Sequence, residues 1–123
     1  MKMAAQKMTL LVQRLHEKSV QGDIPWEKSV DEGVFQASFK DYSLRLSRKR
    51  SRHSGASDEE DIVLQLFNEK GELIEEVDDT DFKVGELAPG YPFPFMAEIH
   101  AMARRAVMGV NKAIDSILDE LVS

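Results

Sequence analysis

Apolar residues recur at helical spacing near both ends of this chain and alternate with polar ones in its middle. Met8, Leu11, Val12 and Leu15 share one side, with Lys7, Gln13, Arg14 and Lys18 left for solvent. That is the pattern of an amphipathic helix over residues 2–18. Gly22 and Pro25 forbid its continuation. Near the other end Phe95, Ile99, Met102, Ala106, Val110, Ala113, Ile117 and Leu121 recur every three or four residues. They predict one long helix over about 95–121.

Between the helices the period falls to two. Phe35, Ala37 and Phe39 fall on one face of an extended segment over about 34–46, but Tyr42, Leu44 and Leu46 fall on the other. Strict alternation cannot turn both sets inward, so a bulge or break belongs near Lys40-Asp41. A second strand, about 61–68, aligns Ile62, Leu64 and Leu66. A third, about 72–78, places Leu73 and Val77 inward, with Glu75 near a register boundary. Asn68-Glu-Lys-Gly71 joins these two as a short hairpin turn, because Gly71 is free to take positive φ. Residues 47–60 then form a long loop of a kind usually mobile or functional. Asp23-Ile-Pro-Trp-Glu-Lys-Ser29 reads as a linker too polar for a strand core. Residues 78–94, with prolines at 89, 92 and 94, are irregular and partly extended.

The predicted class is α+β. A single domain over 1–123 has an antiparallel meander of at least three strands, with an N-terminal helix and a long C-terminal helix on one face. Twenty-seven helical residues extend about 40 Å, whereas a domain of this length is only about 35 Å across. The last helix must therefore kink at Gly109, cross the full domain or meet a second subunit. Ala97, Ala101, Ala103, Ala106, Gly109 and Ala113 keep that helix small-sided and open to a neighbouring backbone.

Composition narrows the chemistry. At 42% hydrophobic and 31% charged, the chain is an ordinary globule by content. It has no cysteine, which excludes disulfides, thiolate metal sites and cysteine nucleophiles and fits a reducing compartment. No run approaches the roughly 18 apolar residues of a membrane span, and Met8–Val12 is too short for a signal-peptide core. A cytoplasmic location is expected, with no membrane partner.

Charge is concentrated in one place. Arg45, Arg48, Lys49, Arg50 and Arg52 carry five positive charges with no acid among residues 45–53, in a chain of net charge −6. Arginine forks suit phosphate, which makes this segment a candidate nucleic-acid or anion site. Against that stand the acids at 58–61, which a hairpin would bring back beside it, and the absence of aromatic stacking platforms in the run. The solvated-connector reading is preferred. The acidic stretch 69–86 holds Asp78, Asp79 and Asp81, but Thr80, Phe82 and the late Gly85 break calcium-loop spacing, so no metal is expected. His16, His53 and His100 lack metal-ligand spacing within their own segments. Trp26, Tyr91, His100 and Arg104 are a second candidate pocket, for a small ligand or anion, although aromatics beside prolines more often pin an irregular segment to the core. Neither a nucleophile elbow nor a glycine-rich phosphate loop is present, so no catalytic residue and no cofactor are expected.

Gly22-Asp-Ile-Pro-Trp26, the hairpin Ile62–Val77 around Asn68-Glu-Lys-Gly71, and Ala103-Arg-Arg-Ala106 leading into Ile114-Asp-Ser-Ile-Leu-Asp-Glu-Leu121 together resemble small bacterial α+β proteins of unknown function. The resemblance implies the same layout and a bacterial cytoplasmic setting, and no activity. The expected function is a non-enzymatic protein-interaction module acting as a homodimer with an unidentified protein partner. A nucleic-acid-associated accessory role for 45–53 is the alternative, and small-ligand or anion binding is the weaker third.

Overall fold

The computed structural model describes residues 2–51 and 59–122. Helix α1 (Lys2–Val20) is followed by β1 (Trp26–Lys28), β2 (Val34–Ser38), β3 (Ser43–Arg50), β4 (Glu60–Phe67) and β5 (Leu73–Asp78). A short 3-10 turn, Asp79–Asp81, leads on to α2 (Pro92–Met108) and α3 (Val110–Val122). The fold class is α+β, as expected. The sheet has five strands in the order β1-β2-β3-β4-β5, every neighbour antiparallel.

The two extra strands arise where the sequence pattern was ambiguous. The segment 34–46 is two strands, because the chain reverses between Ser38 and Ser43, with the Phe39 amide bonded to the Tyr42 carbonyl. This reversal, at the break the alternation demands, turns Phe35 and Ala37 inward together with Leu44 and Leu46, and leaves Phe39 and Tyr42 exposed. Trp26–Lys28 pairs with Phe35–Ala37 as an edge strand despite its polar neighbours. Only Trp26 of the three is buried, and its indole Nε1–H donates to Ser19 Oγ at 3.1 Å. Of the predicted loop 47–60, both ends are strand, since β3 and β4 stay paired out to Arg50 opposite Glu60, and residues 52–58 lie outside the described residues.

One face of the sheet carries the core. Phe35, Leu44, Leu46, Ile62 and Leu64 meet Met96, Ile99 and Ala103 of α2, and Val12 and Leu15 of α1 join the same cluster. α2 lies across this face, and α1 packs against α2. The second hairpin departs from expectation at Leu73: a register shift at Leu66/Phe67 sets it opposite Phe67, where it is half exposed. A bulge shifts the alternation by one residue and so moves a side chain to the other face.

α1 closes in a Schellman arrangement, with Asp23 N–H on the Lys18 carbonyl, Gly22 N–H on Ser19, and Gly22 at φ 77°. The long C-terminal helix is two helices. α2 begins at Pro92, where a missing N–H costs nothing, and ends at Gly109 in the left-handed region, φ 65° and ψ 36°. The buried stripe of α2 is Pro92, Met96, Ile99, His100 and Ala103. It is rotated by about a residue from the stripe the spacing predicts, so Phe95 and Met102 sit at its margin.

Candidate functional site

Strand geometry divides the basic segment. Side chains alternate across a sheet, and pairing of Leu44 with Leu66 and Leu46 with Leu64 fixes the even-numbered side of β3 toward α2. Arg48 and Arg50 therefore belong to the core-facing side, whereas Arg45 and Lys49 stand on the open face on either side of Ser47. Arg48 is already occupied: its Nε donates to Glu60 Oε1 at 2.7 Å, and its guanidinium lies 5.5 Å from the Phe93 ring at the start of α2. Arg45 rests 5.0 Å from the Phe67 ring. Arg52 falls outside the described residues. Sequence reasoning treated these charges as one loop patch; the extension of β3 to Arg50 separates the described ones onto two faces.

The second candidate set is not brought together. Trp26 is buried beside α1. His100 is buried with its Nε2 2.8 Å from the Gly33 carbonyl oxygen and its ring tilted against Phe35, centroids 5.1 Å apart. Tyr91 is 71% exposed, at the position before α2, and Arg104 is exposed on the outer side of that helix. His100 and Arg104 are one turn apart, yet one faces the core and the other water. Glu98, two residues before His100, pairs with His16: Nε2 and Oε1 are 2.7 Å apart, and the imidazole stacks on Phe95 with centroids at 4.2 Å. This contact ties α1 to α2.

Three carboxylates gather at the end of β4 and β5. Asp61, Asp78 and Asp79 each offer an oxygen within 4.8 Å of the others. The local hydrogen bonds give two of them structural work. Asp78 accepts from the Thr80 N–H and hydroxyl, and Asp79 accepts from the Ile62 N–H at 2.8 Å. Burial pushes the Asp79 carboxyl above its ordinary value, and the charges of Asp61 and Asp78 add to this. The Ile62 hydrogen bond partly offsets both. The sequence pattern pointed to 78, 79 and 81; Asp61, seventeen residues earlier than Asp78, joins them only through strand pairing, while Asp81 turns back to the Asp78 N–H.

α3 is the element whose surface is least explained by the fold. None of its residues is buried. Ile114, Ile117, Leu118 and Leu121 are 44%, 56%, 51% and 76% exposed, and their i, i+3, i+4, i+7 spacing puts them on one stripe. Lys112, Asp115, Ser116 and Asp119 occupy the other side. The αL residue Gly109 causes this, because it re-aims the chain before the stripe of α2 can continue into α3. No family model, no curated protein and no solved structure matches the chain. Among the described residues, no helix is long and apolar enough to cross a membrane.

Proposed function

We propose that the protein is an interaction module that works as a homodimer, with α3 as the associating element. The observation that carries this reading is the continuous apolar stripe Ile114–Ile117–Leu118–Leu121, left uncovered on a helix that the Gly109 bend directs away from the core. Scattered exposed leucines need no explanation, but a contiguous apolar strip marks an interaction surface.

The electrostatics of α3 support the same reading. It has no acid in its first turn and no base in its last; instead Lys112 lies near the positive end of the helix dipole, and Asp119 and Glu120 near the negative end. A 13-residue helix is marginal in water without tertiary packing. With end charges that oppose it, α3 draws its stability from a surface that covers its stripe. A second copy meets that need with a self-complementary patch, the commonest arrangement among oligomers.

Sedimentation equilibrium on the full chain tests the reading. The wild type should follow a monomer–dimer equilibrium, and Leu118→Glu should be monomeric at the same concentrations with an unchanged far-ultraviolet spectrum for the sheet and α2. A wild type that stays monomeric to about 100 μM would sink the proposal, because it would leave less than about 5.5 kcal/mol for association.

A further inference from the structure

The three carboxylates at the end of β4 and β5 include one that the fold does not use. Asp61 is the second residue of β4, and Asp78, the last of β5, pairs with Val63 two positions further on. Residues two apart on a strand share a face, so Asp61 and Asp78 point to the same side of the sheet. Asp79 is held beside them by the Ile62 N–H, which donates to its Oδ1 at 2.8 Å. Asp61 is 6% exposed, yet among the described residues no hydrogen bond or ion pair engages its carboxylate. Lys49, opposite it in the β3–β4 pairing, makes no ion pair with it. Aspartate is almost never buried without a partner, and a buried charge is either paired or coordinates a metal. The Asp61 oxygens also remain reachable. Among the described residues, the one unbonded side-chain oxygen or nitrogen closed to solvent is Ser47 Oγ. An unpartnered carboxylate, nine-tenths buried and within 4.8 Å of two more, therefore opens onto the space they share. Burial raises the Asp79 carboxyl, and the charges of Asp61 and Asp78 raise it further; a cation among the three removes that repulsion.

We propose that Asp61, Asp78 and Asp79 bind one hard divalent cation of the calcium or magnesium class. The donor set is all carboxylate oxygen, which suits these ions and not the softer ones that prefer imidazole or thiolate. Water completes the shell. Asp78 and Asp79 each accept a backbone N–H, from Thr80 and Ile62. Those bonds fix the two carboxylates in place, as outer partners orient the ligands of metal sites generally. Calcium tolerates an irregular shell, whereas magnesium demands a near-ideal octahedron and keeps more of its water. Ligands drawn from two strand ends and a turn favour calcium. A bound ion fastens β4, β5 and the 3-10 turn to one another, beneath the face that α2 packs on. The inference is independent of the association of α3, since it uses none of the same residues.

The experiment is calorimetric and ¹H–¹⁵N NMR titration of the full chain, first stripped with chelator, with calcium, magnesium and manganese(II) ions in turn. One saturable site with Kd below about 1 mM is expected for calcium or magnesium, and the melting temperature should rise with the free ion. Manganese should broaden the amides of residues 60–63 and 77–81 before any others. Asp61→Asn keeps the side-chain shape and removes a ligand charge, so it should weaken binding about tenfold or more. Its melting temperature in chelator should be unchanged or higher, because the carboxylate makes no bond in the ion-free protein. Asp79→Asn keeps an oxygen for the Ile62 N–H and should lose most of the rise in melting temperature that the ion confers. No saturable binding below about 1 mM overturns the proposal. So does manganese broadening that is equal along the acidic residues 69–76, which would mean diffuse counterion attraction. An affinity unaffected by Asp61→Asn, or a lower melting temperature of that variant in chelator, overturns it as well, the latter by showing that Asp61 serves the fold itself.

Discussion

α2 and α3 are consecutive helices, separated by one residue and similar in apolar content, yet they live in different environments. α2 presses Met96, Ile99 and Ala103 into the sheet, each at most 1% exposed, and its ends are well made: proline at the start, αL glycine at the close. α3 has a cleaner apolar stripe and buries none of it. The contrast shows that amphipathicity alone does not state what a helix covers. α2 satisfies the fold of this chain, whereas the α3 stripe is surplus to it, and that surplus is the ground for assigning α3 to association.

Core truncations should break the comparison most sharply. Ile99→Ala removes a fully enclosed side chain from α2 and should cost about 2–5 kcal/mol in urea unfolding. Leu118→Ala in α3, measured at protein concentrations low enough to favour monomer, should cost less than about 0.5 kcal/mol, as for exposed positions generally. Equal losses at the two sites would mean that α3 is held by the body of its own chain. At higher concentration Leu118→Ala should lose stability relative to wild type, since a bound partner stabilises by mass action.

The hinge offers a smaller handle. Gly109→Ala meets no atom within 4 Å of the added Cβ, so its cost is that of holding alanine at φ 65°, roughly 1 kcal/mol. That strain favours a continuous helix through 109, which would redirect α3 and weaken self-association. Unchanged sedimentation behaviour would show that the bend does not position the stripe.

The smallest effect concerns the 3-10 turn against which α2 also packs. Asp79 has its carboxyl raised by burial above the ordinary 3.8, so the folded state holds that proton more tightly than the unfolded state does. Its contribution to stability is fully present below about 3.8 and is lost as pH rises through the folded value. Asp79→Asn keeps an oxygen for the Ile62 N–H and cannot ionise. It should be slightly more stable than wild type near pH 7, with the difference vanishing on acidification through that window. A stability difference that grows in acid would reverse the assigned sign.

Much of the architecture was legible from local pattern. The periodicity of 8–15 located α1, and the conflict between Phe35–Ala37 and Leu44–Leu46 located a break that proved to be a full chain reversal. Asn68 to Gly71 marked its turn correctly: the Asn68 Oδ1 accepts from the Lys70 and Glu72 amides, and Gly71 has φ 80°. Trp26–Lys28 was not legible, since three residues with one buried side chain have no period to read. The strand character of Arg48–Arg50 was hidden for a different reason: charge at every position masks alternation.

The sequence by itself determined the α+β class, the turns that need glycine, and the presence of an apolar stripe running to residue 121. These follow from local spacing and backbone sterics, which require no knowledge of distant contacts. Only the tertiary structure decided which stripe is covered, which face each arginine takes, and that Ser47 is enclosed without a partner. Those outcomes depend on strand register and on a single left-handed residue at 109, where a shift of one position exchanges inside for outside.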